Sequence, residues 1–197
     1  MASTGNTPPR ARILAEATDI YLAEGIEGLS MRKIGARLGV SATAIYRHFE
    51  NKEQLVGEIL LGGVRTFAQY IYGALRGLTP EERLRMAAEA ILRFALEQPK
   101  HYEVFFLKKQ PVAALSVREE FEQQRRATFR FLMDRVRECM DAGALRRGEV
   151  AEVALALLTQ THGLLSMQIT SKLDMSDERF IRAYWSIFDL QLAGLAP

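Results

Sequence analysis

The sequence predicts an all-α fold of about nine helices, and three observations predict it. Apolar residues recur at helical spacing over most of the 197 residues. No convincing run alternates polar and apolar residues as a half-buried strand does. Capping residues, prolines and glycines fall where the apolar stripes begin and end.

Residues 1–9 are small, polar and proline-bearing, and read as a disordered lead-in. Ile13, Ala17, Ile20 and Tyr21 form the stripe of a first helix, closed by Gly25 and Gly28. Ser30 is a natural N-cap for a short second helix with Met31, Ile34 and Leu38 inward. Gly39 supplies the left-handed residue of a tight turn, and Val40 can plug the angle between helices. Ser41 caps a third short helix carrying Ile45 and Phe49 inward. Asn51 with Gln54 opens a fourth, to about Leu75, across Gly57, Gly62, Gly63 and Gly73, which lower its regularity. Thr79, Pro80, Glu81 and Glu82 start a fifth that runs to Gln98. Pro99 begins a short sixth ending near Leu107. Ser116 and Glu119 make a capping box for a long seventh, to Ala142, with Gly143 as its stop. The eighth runs from Glu149 to about Thr170, and the ninth, capped by Ser176, from Asp177 to about Leu192 before Gly194.

Composition excludes several classes. With 48% hydrophobic and 25% charged residues the chain is neither disordered nor fibrous. The single Cys139 closes no internal disulfide and forms no thiolate cluster, which predicts a reducing, cytoplasmic setting. The longest unbroken apolar run, Val153 to Leu158, is too short to span a bilayer, so no membrane partner is expected. Residues 1–52 carry seven cations against five acids, and the other 145 carry 19 of each. All the excess positive charge lies in the first quarter, which suggests an end that faces a polyanion. Catalysis has no evident site: Gly39-Val40-Ser41-Ala42-Thr43 lacks the closing glycine of a nucleophile elbow, and His48, His101 and His162 are scattered. No cofactor and no metal are called for.

Two short helices joined at Gly39-Val40 have the dimensions of a DNA-binding helix-turn-helix. With Ile45 and Phe49 inward, Ala42, Thr43, Tyr46 and Arg47 are left for the outer face. Thr43 can read a base edge, small Ala42 and Ala44 permit close approach, and Tyr46 and His48 can donate to phosphates. Lys52 lies in the first turn of the fourth helix, where backbone N–H groups favour a phosphate, and Ser30 and Arg32 face the opposite groove wall. Spacing alone leaves a DNA reader and an ordinary solvated surface both open.

The run from Ser30 to Leu55, above all Leu38-Gly39-Val40-Ser41 and Ile45-Tyr46-Arg47-His48-Phe49 followed by Asn51-Lys52, closely resembles the N-terminal signature of tetracycline-repressor (TetR) family bacterial transcriptional regulators. The resemblance covers roughly Arg10 to Leu60. It implies a head at 10–55 that binds double-stranded operator DNA and a ligand-binding, dimerising body at 56–197. It implies a homodimer that represses at a palindromic operator until a small-molecule effector binds; an activator, or a non-repressing binding protein on the same fold, is the alternative. By position it assigns Arg32, Thr43 and Ala44 to bases and Ser30, Tyr46, His48 and Lys52 to phosphates. Two departures stand out: Gly35 replaces a usual alanine, which should loosen the second helix, and short Ala42 is doubtful as a base reader.

The body is rich in aromatic rings between Phe67 and Phe131, which either fill its core or line a cavity. The candidates for a cavity are Phe94, Tyr102, Phe106, Phe129, Met133 and His162, with a hydrogen-bonded core histidine the alternative for His162. Few charges can be assigned there, so a neutral, largely hydrophobic effector is expected. The eighth and ninth helices are apolar on more than one face and resemble the family's intersubunit helices, with Leu155, Leu158, Leu165, Tyr184, Trp185 and Phe188 as candidate contacts; a monomer whose last helices merely close its own core is the alternative.

Overall fold

The computed structural model describes residues 8–108 and 117–197, and the first seven residues and 109–116, which include the expected cap Ser116, lie outside the described residues. Among the described residues there are nine α-helices and no strand. They are α1 (Arg10–Gly28), α2 (Met31–Leu38), α3 (Ala42–Tyr46), α4 (Lys52–Tyr72), α5 (Pro80–Glu97), α6 (Pro99–Tyr102), α7 (Arg118–Asp141), α8 (Val150–Ile169) and α9 (Asp177–Gly194).

The helix starts follow cap chemistry. Ser30 Oγ accepts from Lys33 N at 3.2 Å, Ser41 Oγ from Ala44 N at 3.3 Å, and Asn51 Oδ1 from Gln54 N at 2.7 Å. Thr79 and Glu82 complete a reciprocal capping box before Pro80, and Ser176 caps α9. α7 starts differently: Arg118 follows Val117 with no side-chain cap, and Glu119 and Glu120 in the first turn face the helix dipole instead. α4 stops at Tyr72, three residues short of the expected Leu75, because its end tightens into a 3-10 turn, Gly73–Arg76. Beyond α6 a π-turn, Glu103–Leu107, completes the segment expected to be one helix.

Three apolar clusters hold these helices. The first joins α1, α2, α3 and the first half of α4, and fully excludes Ile13, Ile20, Ile34, Ile45, Phe49 and Leu55 from solvent. Each such side chain contributes roughly 1.5–3 kcal/mol. Val104 and Phe121, from the body, close this cluster from below. The second joins the end of α4 to α5, α6, α8 and α9, and the third packs α5, α7, α8 and α9. The Tyr184 hydroxyl donates to the Ala88 carbonyl at 2.8 Å, tying α9 to α5, and Trp185 lies 5.2 Å beneath the Arg85 guanidinium.

α8 is, among the described residues, the one helix long and apolar enough to cross a membrane by length and composition. Its interruptions are Thr, Gln, Ser, Gly163 and His162, and Glu152 is its one acid, so the short unbroken run underestimated it. Ala154, Leu157, Thr161 and Leu165 bury one face against the subunit, while Leu155, Ala156, Thr159, Gly163 and Met167 lie uncovered on the other.

Candidate nucleic-acid interface and ligand cavity

The turn between α2 and α3 is built by backbone. Gly39 adopts φ 72° and ψ 28°, a left-handed conformation that side chains other than glycine and asparagine disfavour. Val40 N then donates to Gly35 O at 2.9 Å, and half-buried Val40 packs on the head's core. Gly35 lies inside an uninterrupted α2. It is buried where the turn crosses the helix, and a Cβ there would sit 2.7 Å from Val40 O and 3.3 Å from Ala42 N. A missing methyl at this point permits close approach of two backbones.

On the outer side, Arg32, Thr43, Tyr46 and Arg47 are exposed, Tyr46 at 54%. Ala44 and Lys52 are half-buried beside them. Ala42 is half-buried against the core rather than on the open face, because its amide lies in the crossing just described. His48 is half-buried with Nε2 turned inward and unpartnered, so that nitrogen does not face outward in this rotamer. Ser30 uses its acceptor on the cap and keeps its hydroxyl hydrogen for an outside group. Arg10, Lys33 and Arg37 pair with Glu58, Glu24 and Glu16, whereas among the described residues Arg12 of α1 and, on the outer side, Arg32, Arg47 and Lys52 form no ion pair. Three uncompensated cations therefore share the face that carries Thr43 and Tyr46, which gives that face a positive field.

In the body, a cavity of about 460 Å³ opens among α4, α5, α7 and α8. Such a volume suits a small organic molecule, since ligand pockets run roughly 300–1,000 Å³. Of the candidates, Phe106, Phe129 and His162 line it, and Phe94 and Tyr102 stand one layer behind, fully buried. Phe94 contacts the lining rings Phe67 and Phe106 edge-on, at 5.1 and 6.4 Å between centroids. Met133 belongs to the third cluster and does not reach the cavity, because α7 presents Arg125, Thr128, Phe129 and Leu132 there instead. Phe67 and Ile71 of α4, and Ala87 and Ile91 of α5, complete walls that the sequence pattern did not single out, since they read as ordinary inward positions.

His162 is both a bonded core histidine and a lining residue. Its Nδ1 pairs with the Tyr102 hydroxyl, and its ring lies 4.7 Å from that of Phe106. Burial lowers its pKa to about 4, so the ring is neutral at physiological pH, and the same burial pushes the Tyr102 phenol far up.

The family model described as "Bacterial regulatory proteins, tetR family" matches residues 13–59, which span the head from α1 into α4, and "Tetracyclin repressor-like, C-terminal domain" matches 84–187. The chain belongs to the tetR family. The HTH-type transcriptional activator FasR of Mycolicibacterium smegmatis is 31% identical over 107 residues, 52% of this chain and 49% of that one, so the match spans about half of its length. The nucleoid occlusion factor SlmA of Photobacterium profundum aligns over 98% of this chain and all of its own at 26% identity. Among solved structures, the TetR-family regulator PfmR of Thermus thermophilus superposes with TM-score 0.74 at 27% identity, covering 94% of this chain and all of that one. AibR, solved with isovaleryl coenzyme A and operator DNA, superposes with TM-score 0.72 at 20% identity, over 95% and 98% of the two chains.

The TetR-like body corrects the candidate partner contacts. Leu165, Tyr184 and Phe188 are buried in the subunit's own core, because α9 and the inner face of α8 turn their largest side chains onto α5. Trp185 is half-buried, and Leu158 lines the cavity. Leu155 alone of the six is exposed, at 52%, and it also borders the cavity. Met167 and Leu190, at 41% and 70%, are the exposed apolar side chains that pattern reading missed. They stand on the outer faces of α8 and α9, and periodicity alone does not say which of two apolar faces a helix turns outward.

Proposed function

We propose that this TetR-family regulator is a repressor that binds a palindromic operator as a homodimer and releases it when a small, largely hydrophobic effector enters the body. The observation that carries the reading is α4, one helix of about 30 Å with Lys52 at the positive face and Phe67 and Ile71 in the cavity wall. Occupancy that moves the cavity end of this lever moves the head. In a two-fold dimer the recognition helices engage successive major grooves only when about 34–36 Å apart. An effector that favours another spacing releases DNA.

In this reading residues 10–55 are the DNA-binding head, 56–197 the ligand-binding and dimerising body, and 1–9 a lead-in. Arg32, Thr43 and Ala44 face bases, while Ser30, Tyr46, Arg47, His48 and Lys52 hold phosphates, His48 after turning its ring. The uncovered face of α8 packs against a second copy. The protein works in the cytoplasm, where its DNA is, and as a regulator rather than an enzyme. The likeness to the transcriptional activator FasR favours a second reading, an activator on the same scaffold.

Selection of binding sites from a random DNA pool by the purified protein at physiological salt tests the proposal. A palindrome should be enriched; recovery of no preferred sequence from ligand-free protein overturns it. Deleting the gene beside a reporter on that palindrome separates the two readings, since loss of a repressor raises expression and loss of an activator lowers it.

A further inference from the structure

The cavity's polar groups are few, and each has a defined state. Thr128 donates its hydroxyl to the Arg125 carbonyl at 2.7 Å, within its own helix, and so offers a ligand no hydrogen. His162 is neutral, with Nδ1 on Tyr102, and leaves a single ring nitrogen that carries no charge to an occupant. Among the described residues, Arg125 is the one charged side chain in the lining. Its side chain is 64% exposed and its guanidinium rests on Glu122, one turn back on α7, with Nε and Nη2 on the same carboxylate oxygen at 3.0 and 2.7 Å. An exposed pair of this kind contributes roughly 0.2–1 kcal/mol, so a second carboxylate displaces Glu122 at little cost. The remaining walls, among them Phe67, Ile71, Ile91 and Phe131, are apolar.

We propose that the effector is an amphipathic anion, an acyl chain that enters tail-first and leaves its acidic group at the mouth on Arg125. The inference rests on the cavity being the effector site, and deepens that reading by assigning charge and orientation. An apolar chain satisfies the inner walls, which offer no charge and little hydrogen bonding. The planar fork of Arg125 matches a carboxylate or phosphate bidentately. A cationic amphiphile would set its charge against Arg125, and a wholly neutral one would leave Arg125 on Glu122 and gain nothing from it. The anionic group has two sources with the same chemistry at this point: the free carboxylate of the chain, or the phosphates of a carrier to which the acyl group is linked.

Calorimetric titration of the full-length protein with decanoate, decanol and decylamine tests the assignment, with Arg125→Gln alongside. Decanoate is expected to bind at least about tenfold more tightly than decanol, and decylamine most weakly. Arg125→Gln should remove the decanoate advantage and leave decanol binding within about twofold of wild type. Equal binding of decanoate and decanol, or an equal loss of both in Arg125→Gln, overturns the proposal. Decanoyl-coenzyme A assigns the source: tighter binding that keeps its Arg125 dependence marks a carrier-linked acyl group, and weaker binding than decanoate marks the free acid. Release of operator DNA is read separately. Release by decanol but not decanoate keeps the effector reading and sinks the anion; Arg125-dependent binding of decanoate without release upholds the anion site and sinks its role as effector pocket.

Discussion

Among the described residues Arg32, Arg47 and Lys52, unlike Arg10, Lys33 and Arg37, have no carboxylate partner, and their place beside Thr43 and Tyr46 leaves them for an outside anion. Lys52→Ala is expected to weaken binding to specific and random DNA alike and to reduce the salt slope by about one, measured by titration at several salt concentrations. Thr43→Val should instead relax preference at one base pair per half-site; equal losses on specific and random DNA would show that Thr43 does not read sequence. His162 makes a different prediction. Its pKa is about 4 in the folded protein against 6.5 in the free side chain, so across that window the unfolded chain binds a proton that the folded chain does not. The contribution is therefore fully present above about pH 6.5 and lost as pH falls to about 4, up to about 3 kcal/mol. His101, held low by burial as well, adds the same sign. His162→Leu should flatten most of the slope in denaturant midpoints measured between pH 4 and 7; an unchanged slope would place the proton elsewhere. These residues were unequally legible. Arg32, Thr43 and Tyr46 could be named because the motif fixes their register, whereas Phe67, Ile91 and Phe131 could not, because a ring or aliphatic chain that lines a void has the same periodicity as one that fills a core.

At the level of elements, helix starts were the most legible feature, since Ser30, Ser41, Asn51, Thr79 and Ser176 each act through one short local hydrogen bond. The π-turn was invisible because it is set by contacts far away in sequence. It holds Phe105 against the head's cluster and Phe106 in the cavity, so adjacent residues face the two ends of the proposed switch. The glycines of α4 are likewise explained only in three dimensions. A Cβ on Gly63 would run into the Phe105 ring, whereas one on Gly62 meets nothing within 4 Å. Gly63→Ala should thus destabilise by about 1–2 kcal/mol, overpacking outweighing the gain in helix propensity, and Gly62→Ala should stabilise by up to about 1 kcal/mol. Chemical denaturation of the pair checks this; stabilisation by both would show that Phe105 yields freely.

For the whole molecule, the tetR fold was legible from its head, and the partner faces were not. Gly163 lies on the uncovered side of α8 with open space where a Cβ would point. Gly163→Arg should leave the subunit folded and its melting temperature intact while splitting a dimer into monomers in analytical ultracentrifugation. A dimer that persists would put the intersubunit contact elsewhere. Trp185, the single tryptophan of the chain, sits beneath Arg85 of α5, whose Ala87 and Ile91 wall the cavity, and edge-on to Tyr184 and Phe188 of α9. Its indole is thus a built-in optical probe: emission colour and quenching follow the seam between α5 and α9 without any attached dye. Effector titrations can be read in real time from unlabelled protein by exciting one chromophore per subunit.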